Sequence, residues 1–207
     1  MDISAKSAIL VDFNTGKVLY SKNENEPLAM ASMTKVMSML LIMEKIDDGS
    51  LKYDDIVEIS TESSSMGGSQ IFLNPGDKYK VIDLLKGVAM ASANDAVVAL
   101  AEKTYGSKEH FIEAMNKKAE SLGLKNTHFV NVHGLDEEGH YSSAYDMSVM
   151  ARELLKHEKI LDFTRVYEEY LNKPDGSQIW LVNTNKLVRF YDVLICLLYT
   201  SPSPRDS

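Results

Sequence analysis

Ser32 and Lys35 have the residue types and the spacing for nucleophilic chemistry, three positions apart at the start of a Met- and Leu-rich segment. On a helix, residues at this spacing share a face, so the hydroxyl and the amine can meet. A serine hydroxyl becomes an effective nucleophile when a base removes its proton, and burial can lower a lysine pKa until the amine is that base. Backbone N–H groups at the helix start could stabilise a developing oxyanion. The alternative interpretation is a capping serine and a solvated lysine.

Ser92 and Asn94 form a second candidate pair, at a predicted break between two helices. A hydroxyl at this place could pass a proton to a leaving amine, and a carboxamide could hold both the lysine and a substrate amide. The alternative interpretation is that one of these side chains simply caps the second helix.

The elements that must position these residues are predicted from the apolar pattern and the turn signals. Residues 31–47 are predicted to form a buried central helix, because nearly every face is apolar, and Gly49 ends it. Two hairpins are predicted, one around Gly16 at a positive φ and one around the Pro-Asp-Gly turn at Gly176. Their strands cover residues 7–13, 17–21, 167–171 and Gln178–Val182. Further helices are predicted over 81–90, Asn94–Tyr105, Lys108–Ser121 and from a Ser143 cap to about 156, with loops over 60–75 and 124–140. Helices and strands do not alternate, so the fold class is α+β.

Ser-x-x-Lys followed by Ser-x-Asn, in this order, is a motif pair of β-lactamases and penicillin-binding proteins. The chain resembles the low-molecular-mass penicillin-binding proteins of the D-alanyl-D-alanine carboxypeptidase family. The resemblance covers about residues 7–191 and extends to their surroundings. The matching segments are residues 8–12 (AILVD), 15–20 (TGKVLY), 27–35 (PLAMASMTK), 68–77 (GSQIFLNPGD), 92–96 (SANDA), 122–129 (LGLKNTHF), 133–136 (HGLD) and 141–147 (YSSAYDM).

This resemblance implies a β-lactamase/DD-peptidase-like fold, in which a helical cluster packs on an antiparallel sheet with the cleft between them. It implies that Ser32 attacks the carbonyl between two terminal D-alanines of a peptidoglycan stem peptide while Lys35 takes the proton. Ser92 would help to protonate the leaving D-alanine and Asn94 would position the reacting groups. β-Lactams would acylate Ser32 as covalent inhibitors, and no cofactor or metal is implied. The family acts outside the cytoplasmic membrane, which implies an exported protein.

The third family motif, Lys-Thr-Gly, is absent from the sequence. In relatives it follows soon after the segment matched by residues 183–191 and supplies the cation for the substrate carboxylate. We therefore expect residues 1–191 to be the N-terminal part of the domain, with an incomplete sheet, and residues 192–207 to be an aberrant tail. No substrate-binding residue is assignable, and we expect little or no carboxypeptidase activity from these 207 residues alone.

The composition excludes some classes of function. With 22 Lys and Arg against 30 Asp and Glu, the formal net charge is −8, so the surface repels nucleic acid and an anionic substrate needs a local positive pocket. Cys196 is the single cysteine, which excludes an internal disulfide. The start lacks a signal-peptide pattern, and the apolar residues 193–199 are too few to span a bilayer, so no membrane anchor is predicted in this sequence. His128, His133, His140 and His157 fit no zinc spacing and are predicted to be structural or solvated.

Two alternative functions stay open at this point. Residues 168–172 read Glu-Glu-Tyr-Leu-Asn and resemble the deacylation loop of class A β-lactamases, although the local pattern favours a strand of a surface hairpin. A β-lactamase would release hydrolysed penicillin quickly, whereas a carboxypeptidase would stay acylated. The second alternative is a penicillin-binding protein with little turnover that serves as a cell-wall binding module.

Overall fold

The computed structural model describes residues 3–190. Two short 3-10 helices lie over Ala31–Thr34 and Lys186–Arg189. The α-helices are α1 Lys35–Asp47, α2 Thr61–Ser64, α3 Val81–Ala91, α4 Asn94–Tyr105, α5 Lys108–Ser121, α6 Ala144–Leu155 and α7 Lys159–Thr164. The strands are β1 Ala8–Val11, β2 Val18–Lys22, β3 Ile56–Glu58, β4 Lys78–Lys80, β5 Glu168–Asn172 and β6 Gln178–Val182. The predicted α+β class is confirmed by this set of elements.

Helix α1 is the centre of the core, as its apolar composition predicts. Its residues from Lys35 to Met43 are all buried, including the polar Ser38 and the amine-bearing Lys35. Helices α4, α5 and α6 pack around it, and α3 packs against α4 and α7. A helix that is apolar on every face is stable only when neighbours cover every face. The helical cluster therefore encloses the first turn of α1, where Lys35 lies.

The start of the central helix differs from the prediction. Residues 31–34 form a 3-10 helix, and α1 begins only at Lys35. Ala31 has φ +45°, which a right-handed α-helix does not accommodate. Ser32 consequently lies on a tight turn before the α-helix, while Lys35 lies in its first turn.

The strands form three separate two-stranded antiparallel sheets within residues 3–190, so the antiparallel sheet that the resemblance implies is incomplete here, as expected. The predicted hairpins are present as β1–β2 and β5–β6, and Gly16 has the expected positive φ of +70°. The sheet of β3 and β4 is not predicted, because three-residue strands are too short to show an alternating pattern. On β1 and β2, Leu10 is 56% exposed and Leu19 is 58% exposed, so this hairpin covers its apolar residues poorly.

Helix boundaries with strong local signals agree with the prediction. Helices α4 and α5 have the predicted ends, and Ser143 accepts a hydrogen bond from the Asp146 N–H at the start of α6. The predicted loop over residues 60–75 is wrong in part, because α2 occupies four of them behind the Ser60 cap. Helix α7 is also absent from the prediction, since its short length carries no apolar period.

No helix within residues 3–190 is long and apolar enough to cross a bilayer. The predicted aberrant tail over 192–207, which includes Cys196 and the apolar residues 193–199, lies outside the described residues. The predicted boundary at residue 191 stays a prediction.

Truncation of a core leucine should measure how much the helical cluster stabilises the fold. Leu84 on α3 is fully buried, whereas Leu19 on β2 is 58% exposed. We expect Leu84→Ala to lower the free energy of unfolding by about 2–5 kcal/mol, and the matched control Leu19→Ala to change it by about 0.5 kcal/mol or less. Urea unfolding monitored by circular dichroism measures both. Equal losses for the two variants would contradict the packing described here.

Candidate active site

Ser32 and Lys35 are brought together as their spacing predicts. The Lys35 Nζ donates a hydrogen bond of 3.2 Å to the Ser32 Oγ. Ser32 is half-buried, and its turn holds the hydroxyl next to the first turn of α1. The pair has the contact that proton transfer from a serine to a lysine requires.

The Lys35 amine is in an environment that disfavours its charge. Lys35 is fully buried, and this burial lowers its pKa from 10.5 to about 7. Its Nζ also donates a 2.7 Å hydrogen bond to the His133 main-chain carbonyl. That bond satisfies one donor but provides no negative charge, so the desolvation of the ammonium dominates. Near neutral pH a large fraction of the amine is therefore unprotonated and able to accept a proton.

Ser92 and Asn94 lie at the junction of α3 and α4, as predicted. Ser92 is the C-cap of α3 and adopts a left-handed conformation with φ +55°. Its Oγ and the Asn94 Oδ1 are buried and have no hydrogen-bond partner within residues 3–190. The Asn94 side-chain amide donates to the Gly67 carbonyl at 2.7 Å. A buried polar atom without a partner is costly, so both oxygens are suited to bind a molecule in the cleft.

The segment around Gly67 is held against the start of α4 by backbone contacts. The Asn94 N–H donates to the Ser69 carbonyl at 2.7 Å. The buried Asp95 carboxylate accepts hydrogen bonds from the Ile71 and Leu73 N–H groups on either side of Phe72. Phe72 has φ +57° and is 71% exposed. These bonds fix the segment over residues 68–77, which is one of those that resemble the family in sequence.

No hydrogen bond within residues 3–190 links Ser92 or Asn94 directly to Ser32 or Lys35. The two pairs are connected through the turn over residues 131–135. At one end of this turn, His133 binds Lys35 through its carbonyl. At the other end, the Leu135 side chain lies close to Gly68, and Gly68 lies close to Asn94. A methyl group added at Gly68 would be 3.4 Å from the Leu135 side chain and 2.7 Å from the Asn94 amide nitrogen.

The turn over residues 131–135 contains the site residues that sequence reasoning misses. The Asn131 Oδ1 accepts from the His133 and Gly134 N–H groups, and its Nδ2 donates to the Leu135 carbonyl. His133 is predicted to be structural or solvated, and its ring fits that prediction: it is half-buried, and burial lowers its pKa to about 4. His133 contributes its main-chain carbonyl to the site. Because every residue has such a carbonyl, the residue type does not predict this contact. The Asn-x-His-Gly sequence is the one available signal, because Asn favours turns and Gly allows the positive φ.

The remaining histidines of the prediction make structural contacts. His157 Nδ1 is 2.6 Å from an Asp47 carboxylate oxygen, and His128 Nδ1 is 2.7 Å from the Gly139 carbonyl. His140 is buried against Thr34. Within residues 3–190 there is no group of three or more His, Cys, Asp or Glu side chains that could hold a metal.

The Glu168–Asn172 segment that resembles a β-lactamase loop is strand β5, as its local pattern predicts. It pairs with β6 along its whole length, and the Glu169 carboxylate contacts the Lys86 amine on α3. No hydrogen bond of this segment with Ser32 or Lys35 occurs among the described residues.

Known proteins are similar to this chain in sequence over most of its length. The family model for D-alanyl-D-alanine carboxypeptidases matches residues 1–201. The D-alanyl-D-alanine carboxypeptidase DacF of Bacillus subtilis is 60% identical over 187 residues, which cover 90% of this chain and 48% of the relative. The carboxypeptidase DacD of Escherichia coli is 40% identical over 174 residues, covering 81% of this chain and 44% of the relative. The chain spans about half the length of the curated relatives that it matches.

Solved structures show the same fold. Penicillin binding protein 6B from Escherichia coli superimposes with a TM-score of 0.84 at 36% identity, covering 91% of this chain and 60% of that one. Penicillin binding protein 5 from Haemophilus influenzae gives a TM-score of 0.85 at 32% identity, with coverages of 92% and 55%. The predicted DD-peptidase-like fold is thereby confirmed.

A methyl group at Gly134 should disrupt the 3-10 turn over residues 31–34. Gly134 has φ +92°, and an added Cβ would lie 1.8 Å from the Ala31 carbonyl oxygen, whereas Gly123 has φ +71° with open space around it. We expect the control Gly123→Ala to cost about 1–2 kcal/mol of stability from backbone strain alone. Gly134→Ala should cost more than about 4 kcal/mol, because Ala31 must also move. Urea unfolding measures both, and equal costs would show that the close approach does not exist.

Proposed function

This chain belongs to the D-alanyl-D-alanine carboxypeptidase family, and we propose that it forms the nucleophile half of a serine carboxypeptidase site. The proposed reaction removes the terminal D-alanine from peptidoglycan stem peptides through an acyl-enzyme on Ser32. The observation that carries this proposal is the contact of the buried Lys35 amine with the Ser32 hydroxyl. The proposed site of action is outside the cytoplasmic membrane, where the peptidoglycan substrate is found.

The first step uses Lys35 as the base. The Ser32 Oγ attacks the carbonyl carbon between the two D-alanines, and its proton passes to the Lys35 Nζ. A lysine with a pKa of about 7 suits this role, because it is partly unprotonated at neutral pH and yet basic enough to accept the proton. Neither backbone nor side-chain bonds within residues 3–190 use the Ser32 N–H, so it is available to stabilise the oxyanion.

The second step releases D-alanine. The bond between the carbonyl carbon and the amide nitrogen breaks, and the nitrogen takes up a proton, for which the Ser92 hydroxyl is the proposed relay. Asn94 is proposed to orient the substrate amide through its buried Oδ1, which has no partner within residues 3–190. Water then hydrolyses the acyl-enzyme and regenerates the Ser32 hydroxyl. A β-lactam would form the same ester with Ser32, but its leaving nitrogen would remain tethered.

The substrate carboxylate needs a cation that this sequence does not supply through a Lys-Thr-Gly motif. The formal net charge of −8 gives no general attraction for an anion. We therefore propose that efficient turnover requires a Lys-Thr-Gly segment beside the site described here, and we expect little or no release of D-alanine from the 207 residues alone. The relatives are about twice as long as the matched region, which is consistent with this division.

Acylation of Ser32 tests the proposal in a chimera that joins residues 1–190 to the region of Bacillus subtilis DacF following the match. We expect benzylpenicillin to form a persistent adduct, which peptide mass spectrometry locates at Ser32. Ser32→Ala should abolish it, and Lys35→Met should slow its formation by about 10²–10⁴-fold. The control Ser121→Ala changes an exposed serine at the end of α5 and should leave the rate unchanged. Because Lys35 must be unprotonated, the rate should rise as the pH passes through about 7 and then level off.

Four results would contradict the proposal. An adduct at another residue, or none in the chimera while DacF itself is labelled, would exclude Ser32 as the nucleophile. Rapid release of hydrolysed penicillin without D-alanine release from a D-Ala-D-Ala peptide would indicate a β-lactamase instead. Labelling without either turnover would support the non-catalytic binding module.

A further inference from the structure

His140 is a buried titratable residue to which the proposed mechanism assigns no role. It lies 6% exposed at the end of the loop that carries His133, and its ring packs edge-on against Phe129. Both ring nitrogens have partners. The Nδ1 accepts a hydrogen bond from the Val130 N–H at 3.1 Å, and the Nε2 is 2.7 Å from the Thr34 Oγ1.

These two contacts determine which ring nitrogen carries the proton. A nitrogen that accepts from a backbone N–H must present a lone pair, so the neutral ring of His140 is protonated on Nε2. Nε2–H then donates to the Thr34 hydroxyl. That hydroxyl in turn donates to the Ala31 carbonyl at 2.8 Å. The three bonds run in one direction, from the Val130 N–H through His140 and Thr34 to Ala31.

The last acceptor belongs to the peptide unit that joins Ala31 to the nucleophile. In a trans peptide the C=O and N–H point in opposite directions. The Ala31 oxygen is directed inward, towards the buried Thr34 hydroxyl and the backbone of Gly134. The Ser32 N–H is therefore directed outward, and no described group accepts from it. Ala31 has φ +45°, a conformation that a non-glycine residue adopts only when its surroundings hold it.

We propose that His140 is a positioning residue which, through Thr34, fixes the Ala31–Ser32 peptide so that the Ser32 N–H can bind the oxyanion. The inference rests on the proposed function, and it assigns this buried histidine a part in the rate of acylation. Thr34 does not cap α1 with its side chain, although it is the N-cap residue. Its hydroxyl serves the turn before the helix instead.

The charge state of His140 is compatible with this role. Burial lowers its pKa, while Glu137 opposes this shift, and His128 and Asp136 act more weakly in opposite directions. The ring is therefore neutral at and above neutral pH, where Lys35 becomes unprotonated. A protonated ring would direct an Nδ1–H at the Val130 N–H and break the first bond of the series.

Paired substitutions at positions 140 and 34 test the inference in the chimera with the Bacillus subtilis DacF region, which supplies the part of the site that the 207 residues lack. His140→Leu and Thr34→Val each break the series of hydrogen bonds from Val130 to Ala31 with little change of side-chain volume. The conservative variant His140→Gln keeps a donor and an acceptor, and Thr34→Ser keeps the hydroxyl. Acylation by benzylpenicillin is followed by mass spectrometry at a series of concentrations. We expect His140→Leu and Thr34→Val each to lower the saturating acylation rate by about 10–100-fold, less than the 10²–10³ of a lost oxyanion donor. The half-saturating concentration should change little, and His140→Gln and Thr34→Ser should retain the rate.

The double variant His140→Leu/Thr34→Val should be no slower than the slower single variant, because both remove the same series of bonds. The inference would be overturned if the double variant lost the product of the two single-variant rate losses. It would also be overturned by equal rate losses in His140→Gln and His140→Leu, or by a change in the half-saturating concentration alone.

A second readout separates this inference from the proposed function. The ¹⁵N chemical shifts of the His140 ring should show the proton on Nε2, and the Ser32 amide resonance should move in His140→Leu and Thr34→Val but not in the conservative variants. If these shifts appear while the wild-type chimera forms no adduct and DacF itself is labelled, the positioning role of His140 holds and the catalytic proposal fails. If the wild-type chimera is acylated and the Ser32 amide is the same in all variants, the positioning role of His140 is wrong. Circular dichroism identifies any variant that does not fold.

Discussion

The exclusion of water from the Lys35 amine is the constraint on which the rest of the structure depends. An amine in water would be protonated and could not accept the Ser32 proton, and burial lowers its pKa to about 7. Since the folded pKa lies below the unfolded value of 10.5, the buried lysine opposes folding. This cost is complete below about pH 7 and disappears as the pH rises towards 10.5. The apolar packing around α1 must offset it, and the proposed base accordingly lies on a helix whose residues from Lys35 to Met43 are all buried.

Three chain segments carry the candidate residues. The 3-10 turn over residues 31–34, with Ser32, depends on the positive φ of Ala31 and on the close approach of Gly134. The turn over residues 131–135 is closed by the Asn131 side chain and provides the carbonyl that binds Lys35. The junction of α3 and α4 leaves the Ser92 and Asn94 oxygens buried without a partner among the described residues. The geometry of the candidate site therefore depends on main-chain conformation as well as on side-chain identity.

The sequence predicts what is local and misses what is tertiary. The contact of Ser32 with Lys35 follows from their spacing, and the ends of α4 and α5 follow from caps and apolar periodicity. The 3-10 turn at Ser32 could not be predicted, because the backbone of Gly134 lies against the Ala31 carbonyl, and only the fold brings these two distant segments together. The bond from Lys35 to the His133 carbonyl could not be predicted for a related reason. Every residue has a main-chain carbonyl, and only the fold determines which one lies beside Lys35. The catalytic roles of Ser32, Lys35, Ser92 and Asn94 remain predictions.

The protonation of Lys35 is the quantity that tests this account most directly. Lysine side chains labelled with ¹³C and ¹⁵N can be titrated by NMR in the 207-residue chain, with the Lys35 signal assigned by its loss in Lys35→Met. The account predicts a midpoint near pH 7 for the Lys35 amine. A midpoint near the ordinary 10.5 would show a solvated ammonium that cannot serve as the base for Ser32, and would contradict the central claim.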